Sequence, residues 1–157
     1  MTSLNPARVF KVDNKLARLA RQPGGKTIDE AVRGAEHRIE AVRDQCVAAL
    51  AIKAEQLATL AGGDRTGDVA ELLERLYNLS NAIFGVAGVY GMEPLAEAAC
   101  SLCDLLHGFR LGEKANWSAV DVHVDGIRLL ANGREEGAAS ILAGLAQVRA
   151  LFTPADL

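Results

Sequence analysis

Residues 68–91 read DVAELLERLYNLSNAIFGVAGVYG, and the spacing of the apolar side chains in this stretch decides the fold class. Val69, Leu72, Leu76, Leu79, Ile83, Val86 and Tyr90 recur at intervals of three and four. That rhythm keeps them on one side of a helix turning about 100° per residue. Asp68 precedes the run and Glu71 follows three residues later, the arrangement of an N-terminal capping box. Gly91 stops the pattern.

The same grammar extends in both directions. Upstream, Thr27-Ile28-Asp29-Glu30 is a second capping box. Ile28, Val32, Ala35, Ile39, Val42, Cys46 and Ala49 follow it, with Arg33, Glu36, Glu40 and Arg43 on the other side. One helix is expected from there to about Ala61, closed by Gly62-Gly63. Downstream, Pro94 suits a first helical turn and opens a seam of Leu95, Ala99, Leu102, Leu106 and Phe109. Ser118 is the expected cap of a helix carrying Val120, Val124, Ile127 and Ala131, ended by Gly133. A last helix carries Ala138, Ile141, Leu145, Val148 and Phe152. Short connections favour antiparallel neighbours. The expectation is an all-α, up-down four-helix bundle over residues 27–152. It is preceded by a loosely organised basic leader, residues 1–26, with one short helix around Val12–Arg21, and followed by a tail, residues 153–157.

Composition agrees. Half of the 157 residues are hydrophobic but only 4% are aromatic, so Leu, Val, Ile and Ala must build the core of one domain. The net charge of −3 argues against a nucleic-acid binder. It is unevenly placed: residues 1–26 carry +5 and the remainder −8. The leader reads more simply as a solvated tail than as an arm for an acidic partner. No run approaches the ~20 apolar residues that span a membrane, and no secretory signal precedes the three cysteines. A reducing, cytoplasmic setting is expected.

Opposite the apolar seam of residues 68–91 lie Glu74, Asn78, Asn81, Gly85 and Gly88. Asn81 is about 200° from both Leu79 and Ile83, so it should face solvent. Two glycines on such a face cost roughly 0.8–1 kcal/mol each relative to alanine. In return they make a trough where another protein can approach the backbone. Glycine is plentiful elsewhere in the chain, at Gly34, Gly126 and Gly144 among others, so spacing alone does not decide the matter.

The segment from Asn81 through Gly91 to Ala99 resembles the signature of histidine phosphotransfer (Hpt) domains. That signature is His-x-x-Lys-Gly, small residues, a glycine turn, then a helix opening Leu-x-x-x-Ala. Gly85, Gly88, Gly91, Leu95 and Ala99 fall in matching places, and the order of helices over residues 27–152 matches too. Two positions depart: Asn81 replaces the phosphate-accepting histidine and Phe84 the lysine. An amide nitrogen delocalised into its carbonyl is not the nucleophile an imidazole is. Phenylalanine cannot neutralise phosphoryl oxygens. The resemblance therefore implies a non-enzymatic, cofactor-free protein that binds a receiver domain or a histidine kinase through Glu74, Asn78, Asn81, Phe84, Gly85 and Gly88. Its oligomeric state stays open. The alternatives are phosphotransfer through His107 or His123, and a purely structural helical module.

The other constellations read as structural. His37 lies between Glu36 and Glu40 on a polar side, His107 near a helix C-terminus, and His123 beside Val120 and Ile127. Cys100-x-x-Cys103, with His107 four residues on, lacks the fourth ligand of a zinc site and the strand context of a redox motif. Gly24-Gly25-Lys26-Thr27 lacks the upstream glycine of a P-loop. Trp117 stands alone, and no carboxylate pair has acid–base spacing.

Overall fold

The computed structural model describes residues 14–21, 24–112, 114–133 and 136–152. They form seven helices and no strand: α1 (Lys15–Ala20), α2 (Ile28–Ala41), α3 (Arg43–Ala61), α4 (Val69–Val89), α5 (Glu93–Arg110), α6 (Trp117–Ala131) and α7 (Ala138–Ala150). The chain divides into two compact units, residues 1–40 and 41–157.

In the first unit the Thr27 box forms as expected. The Thr27 hydroxyl accepts from the Glu30 amide at 3.2 Å, and the Glu30 carboxylate accepts from the Thr27 amide at 2.8 Å. α1 is capped by Asn14 and is shorter than the expected helix, whose first residues, with the tail 153–157, lie outside the described residues. α2 buries no residue along its length, and Ile28 is 83% exposed.

Two expectations about the first long helix are corrected. It is not continuous to Ala61, because Val42, with φ −107° and ψ 5°, separates α2 from α3. Neither proline nor glycine stands at this break, so no local rule announces it. Nor is any of the seam residues from Ile28 to Ala49 buried. Ile28, Val32, Ile39 and Val42 are exposed, and the buried face is Leu50, Ala54, Leu57 and Ala61. Periodicity identifies an apolar face; whether anything covers it depends on what packs there.

In the second unit α3, α4, α5 and α6 pack in a closed cycle, each against the next and α6 against α3, while α7 packs on α5 and α6. Leu50, Leu57, Leu76, Ile83, Leu95, Leu102, Leu106 and Ile127 are fully buried at its centre. Each such side chain contributes about 1.5–3 kcal/mol over leaving it in water. α5 touches α4, α6 and α7, and accordingly buries nine residues. The face of α4 is rotated from the expected seam. Leu72, Leu73, Leu76, Ser80, Ile83 and Ala87 are buried, Val69 is exposed, and Leu79 and Val86 are half-buried. Serine and alanine suit this side because α4 lies against two helices at once, and the Ser80 hydroxyl donates to the Ala99 carbonyl of α5 at 2.9 Å.

The connections follow their local chemistry. Asp68 caps α4 by accepting from the Glu71 amide at 3.0 Å, and Gly91 and Gly133 adopt φ of +70° and +77°. One cap differs from expectation: Asn116, not Ser118, opens α6, its side chain accepting from the Ala119 amide at 3.1 Å. Among the described residues no helix is long and apolar enough to cross a membrane.

Candidate functional site

α4 presents Asn78, Asn81, Phe84, Gly85 and Gly88 to solvent, with Glu74 half-buried at one end. Phe84 is 41% exposed, a large apolar side chain at the edge of a small-residue strip. Asn81 makes no hydrogen bond to another described residue, so its carboxamide is free to bond outward.

The glycines answer a question that spacing leaves open. A Cβ on Gly85 or Gly88 would meet nothing within 4 Å, so neither glycine is needed by the packing of its own chain. Gly126 in α6 is the opposite case, since a Cβ there would approach Ile141 and Leu145 at 3.2 Å. Gly144 in α7 is as open as Gly85 but stands alone, without a second glycine one turn away on its face.

One end of the α4 face is already engaged. Glu74 pairs with Arg110 of α5 at 2.5 Å, and Asn78 donates to the Glu74 carboxylate at 3.3 Å. Arg110 also lies 5.0 Å from the centre of the Tyr77 ring, where the ring face attracts a cation. Arg110 and Tyr77 thus border the face without having been singled out from sequence. Arg110 comes from another helix, and no local pattern brings it beside Glu74.

The histidines differ sharply. His123 is fully buried. Its Nδ1 lies 2.8 Å from the Ala119 carbonyl, which can only accept, so Nδ1 carries the proton. Nε2, 3.1 Å from the Ser101 hydroxyl, then accepts from it. Burial holds this imidazole below its usual pKa, the Ala119 bond opposes the shift, and Arg149 adds to it. Neither ring nitrogen is open to an incoming phosphoryl group. His107 is exposed on α5. Cys46, Cys100 and Cys103 are free thiols, and burial pushes the Cys103 thiol up. Among the described residues no three His, Cys, Asp or Glu side chains come together as a metal site.

Comparison with known proteins finds no matching family model, no matching curated protein and no matching solved structure.

Proposed function

We propose that this chain is an Hpt-type up-down four-helix bundle that docks a receiver domain or a histidine kinase through α4, modulating two-component signalling without carrying phosphate. The observation that carries this reading is the open space over Gly85 and Gly88 beside an exposed Asn81. Two helical glycines with no internal role, on the face where the Hpt-like segment places its reactive residue, are explained by a partner's approach. The cyclic packing of α3 to α6 supports the bundle.

The chemistry at this face is recognition. Asn81 offers two donors and an acceptor but no nucleophilic lone pair on nitrogen. Phe84 adds apolar area where a docked surface can cover it. Phosphotransfer through His123 is disfavoured by its burial and its two hydrogen bonds.

The test pairs transfer with binding. The purified chain is incubated with a histidine kinase and a panel of phosphorylated receivers, then assayed for acid-labile phosphate and, by calorimetry, for affinity. The expected result is binding to at least one kinase or receiver with no phosphate retained. Phosphohistidine at stoichiometric level would falsify the reading, and absence of binding across the panel leaves the structural-module alternative in its place.

A further inference from the structure

A second surface, apart from the Asn81 face, has the form of a recognition site. It is a groove of about 870 Å³ between α3 and α4, running along α3 from Ala51 to Leu60 and closed at one end by the loop at Gly63 and Asp64. Its floor is apolar: Ala51, Leu60 and Leu72 lie beneath it, and Ile52 is 60% exposed at its edge. Its charged lining is Glu55, Asp64, Asp68 and Glu71 against Arg75. Arg128 reaches Glu55 at 3.1 Å, leaving an acidic excess of two.

Two of these carboxylates are fixed in place. Asp64 accepts from the Thr66 amide at 2.8 Å and its hydroxyl at 2.7 Å, and Asp68 is held by its capping bond to Glu71 at 3.0 Å. A small-molecule site encloses most of its ligand, whereas most of the residues around this groove are themselves exposed. An open trough with an apolar floor and charged banks suits an amphipathic helix laid into it.

Size agrees with that occupant. A helix about 10–12 Å across occupies roughly 400–600 Å³ per turn, so the groove holds between two and three turns sunk to roughly two thirds of their depth. The stretch Ala51–Leu60 is about 14 Å long at 1.5 Å per residue, which is again between two and three turns. The charge selects the sign: the acidic excess of two repels an anionic helix and draws a cationic one.

We propose that this groove is a docking site for a short cationic amphipathic helix of a partner protein, its leucine-like side chains on Ile52 and Leu72 and its lysines or arginines toward Asp64 and Glu71. The site is independent of the Asn81 face. α4 contributes Glu71, Leu72 and Arg75 to it, all within its first two turns, whereas Asn81 does not line it and Gly85 lies about 15 Å beyond Arg75 along the helix.

The experiment pans a randomised library of displayed helical peptides on the full chain, then measures selected peptides against wild type, Ile52→Asp, Glu71→Lys and Gly85→Arg. Ile52 and Glu71 are exposed, and circular dichroism verifies that each variant folds. The expected peptides carry apolar residues at i and i+3 or i+4 flanked by Lys and Arg. Their affinity falls at least tenfold with Ile52→Asp and Glu71→Lys, weakens with salt, and is unchanged by Gly85→Arg. No enrichment, enrichment of acidic or neutral helices, or indifference to both groove variants overturns the proposal. So does sedimentation showing a wild-type dimer that both groove variants dissociate, because the groove is then a contact between copies of this chain.

Discussion

A Cβ built on Gly126 would stand 3.2 Å from Cδ1 of Leu145, so α6 approaches α7 as closely as it does because position 126 has no side chain. Gly126→Val must therefore displace Leu145 and Ile141, and overpacking of this kind costs about 1–3 kcal/mol. Urea unfolding should show the midpoint falling with the slope unchanged. A midpoint equal to wild type would mean that α7 moves away freely.

Gly85→Arg tests the other kind of glycine. With nothing within 4 Å of the added Cβ, the fold should hold and gain up to about 0.8 kcal/mol of helix propensity. Binding of the receiver or kinase should be lost through bulk alone. Thermal midpoint and affinity are measured together. A folded variant that binds normally moves docking off α4.

His123 makes stability depend on pH. Its folded pKa lies below the ordinary 6.5, so the unfolded chain binds the proton more readily than the folded one. Stability is thus fully present above about pH 6.5 and falls as pH drops below it, by at most about 1.4 kcal/mol per pH unit. His123→Gln should be less stable at neutral pH, because the Ser101 and Ala119 partners are disturbed. It should also flatten the curve between pH 6.5 and 5. A variant that keeps the wild-type slope would assign that slope to other groups.

Ser80 joins α4 to α5 through a buried hydrogen bond to the Ala99 carbonyl. Ser80→Ala removes the donor and leaves a small apolar group in the same space, so the expected loss is about 0.5–1.5 kcal/mol. Chemical denaturation decides this. A gain in stability would show that desolvating the hydroxyl outweighs its bond.

Arg65 ties the α3–α4 connection to α6: its guanidinium lies 4.9 Å from the Trp117 ring centre and pairs with Asp121 at 2.5 Å. Both side chains of the ion pair are partly exposed, so Arg65→Ala should cost only about 1–2 kcal/mol from the pair and the ring contact together. Trp117 is the one tryptophan of the chain, so its emission reports this contact without interference. An unchanged spectrum in Arg65→Ala would place the guanidinium elsewhere in solution.

Much of the architecture was legible because its causes are local. Thr27 and Glu30 meet across one helical turn, Asp68 reaches an amide three residues away, and Gly91 takes the turn by its own freedom at φ +70°. α5 was equally readable for a different reason. Leu95, Ala99, Leu102, Leu106 and Phe109 are all buried, since three helices surround them and any apolar face there is covered. The exposure of Asn81, Gly85 and Gly88 also followed from phase alone.

What only tertiary structure decided are relations between residues far apart in sequence. The stripe on α2 is apolar by sequence, but Ile28 and Val32 remain in solvent, because period identifies a face and not its neighbour. The rotation of α4 toward Ser80 and Ala87 is set by simultaneous contact with α3 and α5. The pairing of Arg110 with Glu74, of Ser101 with His123 and of Arg65 with Trp117 depends on which helices are adjacent. Caps and turns are made within a few residues and are written in them. Burial, pairing and grooves arise between helices, and exist only when distant segments have been brought together.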